Sequence, residues 1–239
     1  MEYRKLELIG EGKTKRLWKT DDDKHIIVEF SDDAMLYHAK KKLYFKDKAR
    51  LCNEINSILM TLLEENNIPT DYICKVDENS ILVKKAEMIP IEVVVRNYVA
   101  GSMSTRLGLE PHKKLKSPVL EFCYKNDELR DPVINEYHAY AMELCTPEEL
   151  SVMCYQASRI SKVLTSVMSK VGIVVADFKV EFGRVNGRLV VADELTPNVS
   201  RFWDAETLHR FENGDPSYEY REILRRLQSV CGKEETVEK

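Results

Sequence analysis

The sequence predicts an α+β protein in two lobes, a small N-terminal lobe of antiparallel strands over residues 1–88 and a larger lobe over 89–239. Three observations carry this reading. Short strand-like segments separated by turn residues fill the first third of the chain around one amphipathic helix. A single long helix with a capping box follows Cys145. Two apolar segments then flank Asn186-Gly187, a dipeptide that marks a tight hairpin.

The elements follow in order. Residues 3–9 and 13–19 read as a hairpin around Gly10-Glu11-Gly12, and His25–Phe30 as a third strand. A helix is expected from about Asp47 to Glu65, with Leu51, Ile55, Ile58, Leu59 and Leu62 on its buried face, stopped by Asn66-Asn67 and Pro69. Residues 72–77 and 80–86 form another strand pair, and Glu87-Met88-Ile89-Pro90 leads into the second lobe. There the strand Ile91–Val99 ends in a turn at Gly101-Ser102, and a polar, Pro-containing stretch occupies about 110–140. Thr146 as N-cap, Pro147 at N1 and Glu149 at N3 open the long helix. Its stripe is Leu150, Met153, Cys154, Ala157, Ile160, Leu164, Val167 and Met168, and Gly172 closes it. Asp204 caps a short helix at 205–211, and a last helix near 218–230 precedes a polar tail, Gly232–Lys239, expected to be disordered.

Composition narrows the function. A net charge of −4 argues against nucleic acid as the main ligand. No stretch is apolar enough to span a membrane and no leader opens the chain, so the expected location is cytoplasmic, with no membrane partner. The six cysteines show neither a C-x-x-C pair nor zinc spacing with histidine, and read as buried reduced thiols. Lys40-Lys41-Lys42 reads as a solvated face.

The most informative stretch is Val175-Ala-Asp-Phe-Lys-Val-Glu-Phe-Gly183, followed by Arg188-Leu-Val-Val-Ala-Asp-Glu194. Side chains alternate along a strand, so Asp177, Lys179 and Glu181 share one face and Phe178, Val180 and Phe182 the other. Charges on an apolar strand are costly to desolvate unless paired with one another, a metal ion or a charged substrate. The intervening turn has two readings. A two-residue type I′ turn at Asn186-Gly187 puts Asp193 opposite Val180. A bulged turn with Gly187 left-handed puts Asp193 opposite Lys179, where it shares a cation such as Mg²⁺ with Glu181; we take the bulged turn.

Other segments carry weaker signals. Gly12-Lys13-Thr14-Lys15 fails the P-loop template, which needs Gly at Glu7, and is either a glycine turn over phosphates or an ordinary hairpin. Arg96, carried by a strand into Gly101-Ser102, suits a phosphate or carboxylate, or pairs with Glu92 on its own strand face. Ser200 and Arg201 form a second anion clamp or neutralise the carboxylates, and the polar stretch Lys125–Glu136 suits a substrate loop.

With Met88-Ile-Pro-Ile-Glu-Val-Val-Val-Arg-Asn-Tyr-Val-Ala-Gly-Ser102 and Val175–Gly183, these motifs resemble the SAICAR synthetase family, the phosphoribosylaminoimidazole-succinocarboxamide synthases, over nearly the whole chain. Gly12-Lys-Thr-Lys15, Leu82–Pro90, Lys125–Glu136 and Ala192–Asp204 fall in family order. The resemblance implies a lobe like the kinase N-lobe joined to an ATP-grasp-like lobe. It implies an ATP-dependent ligase of purine biosynthesis that joins L-aspartate to an imidazole carboxylate ribonucleotide through an acyl phosphate. It implies ATP at Lys13, Lys15, Lys84 and Met88, and the imidazole nucleotide at Arg96, Ser102, Lys179 and Arg201. It further implies Mg²⁺ at Glu181 and Asp193, chemistry around Asp177 and Lys179, and a homo-oligomer. The chain departs from the family after Asp33, where Ala34–Ala39 and Asp47–Asn53 replace a glycine-containing turn and a Gly-Lys-Gly-like element.

Overall fold

The structure, a computed structural model, describes residues 3–36 and 41–231. The chain forms two compact units, one of residues 1–62, 71–85 and 211–239, the other of 63–70 and 86–210.

In the first unit β1 (Leu8–Glu11) and β2 (Lys15–Lys19) pair antiparallel, with Gly10 opposite Leu17. The turn therefore sits at 12–14, closed by Gly12 N donating to Lys15 O at 2.8 Å, and not at 10–12. β3 (His25–Phe30) lies as expected, but β4 (Asp33–Leu36) and β5 (Lys41–Tyr44) form an unforeseen hairpin. Next come α1 (Lys48–Glu65), β6 (Tyr72–Lys75) and β7 (Ser80–Lys84), giving an antiparallel sheet in the order β1-β2-β3-β7-β6. On α1, Leu51, Ile55 and Leu59 are buried, whereas Ile58 and Leu62 are half-buried and Cys52, Asn53 and Met60 take their place. Asn53 is taken in because its Nδ2 donates to Asp77 O and Glu78 O, each at 2.9 Å.

The divergent stretch is knitted into this unit. Lys48 is buried and donates to Asp33 O at 3.0 Å, while Ala49 N donates to Asp32 Oδ1 at 2.8 Å. Residues 37–40, with Lys40 of the lysine run, and the tail 232–239 lie outside the described residues, as do the side chains of Lys41 and Lys42.

The second unit is built on β8 (Glu87–Tyr98), whose start absorbs the supposed connector. α2 (Ser102–Leu107) follows, then β9 (Lys114–Tyr124), a strand where the sequence suggested an irregular stretch. Lys114, Lys116, Ser117 and Pro118 break the apolar alternation there, and they are tolerated because this half of the strand is exposed. β10 (Val133–Ile134) and α3 (Glu136–Ala141) precede α4 (Pro147–Ser169), which has the predicted capping box and Pro at N1. β11 (Ile173–Val185), β12 (Arg188–Ala192) and β13 (Ser200–Asp204) complete the sheet, in the order β10-β9-β8-β11-β12 with β13 also on β11. β11 is thus the central strand, flanked by β8 on one side and by β13 and then β12 on the other.

α4 packs on β8, β11 and β12. Leu150, Met153, Ala157, Ile160, Leu164 and Met168 are buried, as are Val93, Val95, Phe178, Val180 and Phe182; Cys154 and Val167 are half-buried. Each such side chain fully withdrawn from water contributes about 1.5–3 kcal/mol. Ser161 Oγ donates to Asn97 Oδ1 at 3.1 Å and Asn97 Nδ2 to Val175 O at 3.0 Å, so the helix is also registered by hydrogen bonds.

Two local expectations are corrected. Val185 pairs with Arg188, and Asn186 and Gly187 have φ of 50° and 76°, so the turn is the two-residue type I′ form and not the bulged one. Asp204 caps only a turn, its Oδ1 accepting from Glu206 N at 2.9 Å and Thr207 N at 3.2 Å, and no helix forms at 205–211. α5 (Tyr218–Cys231) lies as predicted and returns to the first unit, where Tyr220 packs against Phe30, Ala49, Cys52, Ile81 and Val83. Cys52, Cys74, Cys123, Cys145 and Cys154 are free, but only Cys52 and Cys145 are buried. Among the described residues no helix is long and apolar enough to cross a membrane.

Glu149 ties α4 to the sheet. It completes the capping box and also forks onto Arg184 of β11, whose Nη2 lies 2.8 Å from Glu149 Oε2. The Arg184 hydrogen bond holds its carboxyl below the ordinary 4.5. Thr146→Ala should cost about 1 kcal/mol and Glu149→Ala about 2–3 kcal/mol in urea unfolding at pH 7. A depressed folded-state pKa means the Glu149 contribution is present above pH 4.5 and lost as pH falls through the folded value, so the Glu149→Ala deficit should shrink at pH 3.

Candidate active site

The face of the central sheet opposite α4 is charged. Register places Arg96 opposite Asp177, Val94 opposite Lys179 and Glu92 opposite Glu181, and on β9 Glu121 lies opposite Val94. Arg201 of β13 reaches the same face, opposite Asp177.

Asp177 is 2 % exposed and is the meeting point of two guanidiniums. Arg96 Nη1 donates to its Oδ2 at 2.6 Å, and Arg201 Nη1 donates to Oδ1 at 2.9 Å and Oδ2 at 2.7 Å. Arg96 is fixed further by Glu121 at 2.6 Å, by Ala100 O at 3.2 Å and by Ser102 Oγ at 3.4 Å. The pairing with Glu92 that the sequence left open does not occur; Glu92 is taken by Lys179. Arg106 of α2 also binds Glu121, and although burial raises that carboxyl, Arg96 and Arg106 together hold it below its ordinary range. Gly101 has φ of 55°, a backbone conformation that favours glycine, and a Cβ there would lie 2.7 Å from Arg201 Nη2, so a side chain would make the guanidinium shift.

The second cluster centres on Glu181, 1 % exposed. Lys179 lies 3.3 Å from its Oε1, and Lys125 binds its Oε2. Burial and then the nearby Asp193 charge push the Glu181 carboxyl up, against the pull of Lys179 and Lys125. Burial disfavours the Lys179 ammonium, but Glu181 and Glu92 outweigh it and keep that lysine charged. Asp193 acts on both Glu181 and Lys179 although the type I′ register directs it elsewhere. Its route is a backbone one: β12 ends at Ala192 and Asp193 turns away in the left-handed region, φ 68°. The register from which the sequence reading placed Asp193 beside Glu181 does not occur, and the Asp193 charge acts on Glu181 from the residue after the strand end.

The loop after Asp193 winds around buried Glu194, which accepts from Thr196 Oγ1 and, at 2.9 Å, from Asn198 Nδ2. This delivers Arg201 to the charged face. Ser200 pairs with Phe178 instead, on the apolar side, and its buried Oγ has no hydrogen-bond partner. Glu92, Arg106, Glu121 and Lys125 were not singled out from sequence as members of the face. For Glu121 the missing signal was the strand itself, because β9 was not recognised. Lys125 stood in the polar stretch noted as a substrate loop.

The residues expected at ATP are distributed differently. Lys13 lies in the β1–β2 turn and Lys15 opens β2 opposite Phe30, while Lys84 ends β7 opposite His25. Lys15 and Lys84 thus mark opposite ends of β3, roughly 17 Å apart along a strand. Met88 is half-exposed on β8 opposite Gly183, in the second unit. No group of three or more His, Cys, Asp or Glu arranged for a metal occurs among the described residues, so the acidic pair Glu181 and Asp193 is the candidate cation site.

Comparison with known proteins agrees over nearly the full length. The SAICAR synthetase family pattern matches residues 8–238. The phosphoribosylaminoimidazole-succinocarboxamide synthase of Coprothermobacter proteolyticus is 44 % identical over 95 % of this chain and 99 % of its own. The crystal structure of the same synthase from Ehrlichia chaffeensis superposes with a TM-score of 0.90 at 35 % identity, covering 94 % of this chain and 99 % of that one. A SAICAR synthetase (Type-2) in complex with ADP superposes at 0.87 with 41 % identity, covering 92 % and 97 %. With these motifs, this fold and this agreement, the chain belongs to the SAICAR synthetase family of ligase enzymes.

Proposed function

We propose that the chain joins L-aspartate to 5-amino-1-(5-phosphoribosyl)imidazole-4-carboxylate at the expense of ATP, in de novo purine biosynthesis. The observation that carries this is the charged face with Asp177 between Arg96 and Arg201 and Glu181 between Lys125 and Lys179. Replacing buried ion pairs by packed hydrophobic residues is often neutral or stabilising, so stability gives no reason for so many charges on one face. Recognition of an anionic substrate does.

On this reading Arg96, Ser102, Lys179 and Arg201 hold the imidazole nucleotide, and Asp177 orients both guanidiniums beside the transferred phosphoryl group. Lys13 and Lys15 take ATP phosphates, and Lys84 and Met88 the adenine; the separation of Lys15 from Lys84 along β3 suits the two ends of an extended nucleotide. The substrate carboxylate attacks the γ-phosphorus and ADP leaves. The aspartate amine then attacks the acyl phosphate, expelling phosphate and losing a proton. Catalysis rests on positioning and charge neutralisation, so no covalent nucleophile is needed. Glu181 and Asp193 fit a Mg²⁺ ion, because two acidic groups that oppose each other's charge in a buried setting are relieved by a dication. When bound, that ion neutralises phosphate charge. The reading keeps the kinase-like and ATP-grasp-like lobes, the division at residue 88 and a cytoplasmic homo-oligomer, all supported by the family resemblance.

The test is ADP release by the purified protein with Mg²⁺-ATP and the imidazole carboxylate nucleotide, with and without L-aspartate. Turnover that needs both, with the succinocarboxamide formed, is expected. Transfer to a hydroxyl compound without aspartate would replace the ligase by a phosphotransferase. Glu181→Gln should lower Mg²⁺-dependent turnover roughly a hundredfold or more in a variant that still folds, with a lower thermal midpoint because Lys125 and Lys179 lose a buried carboxylate partner. Unchanged turnover would remove Glu181 from the metal site, and an unfolded variant would make its charge structural.

A further inference from the structure

The charged face is balanced without any ligand. Glu92, Glu121, Asp177, Glu181 and Asp193 supply the negative charge, and Arg96, Arg106, Lys125, Lys179 and Arg201 the positive. A dication placed beside Glu181 and Asp193 upsets that balance, and withdrawal of one positive group relieves half of the excess. Four of the five cannot do so easily. Arg96 is 7 % exposed and bridges two carboxylates, and Arg201 spans both oxygens of Asp177. Lys179 is shared by Glu92 and Glu181 and 25 % exposed, and Arg106 serves Glu121, away from Glu181.

Lys125 is the most exposed of the five, beside 37 % for Arg201 and 35 % for Arg106, and unlike those two it sits on Glu181 itself. Its side chain is 45 % exposed, and Glu181 is its one salt-bridge partner among the described residues. It opens the loop that begins where β9 ends, at Tyr124, and is anchored there through its backbone, Lys125 N donating to Pro90 O at 3.0 Å. The backbone anchor fixes where the side chain starts while leaving a flexible four-carbon stem free to swing. Its ammonium sits on the oxygen of Glu181 turned away from Lys179, since Lys179 bonds Oε1 and Lys125 bonds Oε2.

We propose that Lys125 is a built-in counter-cation for Glu181, occupying its outer oxygen until a divalent ion displaces it. The inference rests on the metal assignment made above. In the metal-free protein Lys125 keeps a buried carboxylate paired that would otherwise be left with Lys179 alone beside Asp193. On metal binding its ammonium moves off, which offsets half of the charge that the dication brings to the sheet.

The consequence is competition. Binding of Mn²⁺ alone, read from the loss of the free-ion electron paramagnetic resonance signal in nucleotide-free protein, should be about tenfold tighter in Lys125→Met than in the parent. Metal-free Lys125→Met should melt lower than the parent, and saturating Mn²⁺ should raise its melting temperature by more. Lys125→Arg, which keeps the charge, should stay near parental affinity. If Lys125→Met binds Mn²⁺ no better than the parent while Glu181→Gln binds it worse, the competition is absent and the proposal falls with the metal site intact. If Glu181→Gln binds Mn²⁺ as well as the parent, the metal assignment fails and takes the proposal with it.

Discussion

The carboxylate of Asp177, buried on the central strand and held between Arg96 and Arg201, is the interaction on which the rest of the charged face depends. Three strands meet at it: β11 carries the acid, β8 brings one guanidinium and β13 the other. Arg96 could not be withdrawn from water without a carboxylate, and removing one partner of such a buried pair typically costs 3–5 kcal/mol. The acid therefore fixes where both guanidiniums stand. The Gly101 turn completes the arrangement, since a residue without a side chain leaves the Arg201 guanidinium where Asp177 holds it.

Such a face exists because the opposite side of the same strands is thoroughly apolar. Phe178, Val180 and Phe182 alternate with Asp177, Lys179 and Glu181, and α4 covers the apolar set. A one-residue slip of β11 would exchange the two faces and bury the charges under the helix, so register is strongly specified. The type I′ turn at one end and the Arg184–Glu149 fork, which joins the strand to the first turn of α4, both hold that register. Gly183 also lets Ala86 approach closely, since a Cβ there would lie 2.7 Å from the Ala86 side chain, next to a register irregularity between β8 and β11.

Much of this was legible in the sequence. The period-two alternation of Val175–Gly183 announced the two faces, and the capping box announced α4, because both signals are local and strong. What stayed hidden depended on backbone geometry or on partners distant in sequence. The turn from which Glu181 and Asp193 were placed on one face was the wrong one; the Asp193 charge still acts on Glu181, with Asp193 at a positive φ that no spacing rule reveals. β9 escaped because its first half is an exposed edge rich in Lys and Pro, and with it went Glu121. The glycine turn was placed two residues early, since Gly10 and Gly12 carry the same signal and only pairing with β2 shows that Gly10 lies within the strand.

The most direct test of the central claim, that Asp177 and Gly101 hold Arg201 as part of an anion clamp, is a calorimetric titration. The imidazole carboxylate ribonucleotide would be titrated into Gly101→Ala and the parent. A methyl group within 2.7 Å of the guanidinium must move it, so affinity should fall at least about tenfold while the fold persists. Undiminished affinity in a folded Gly101→Ala variant would contradict the clamp.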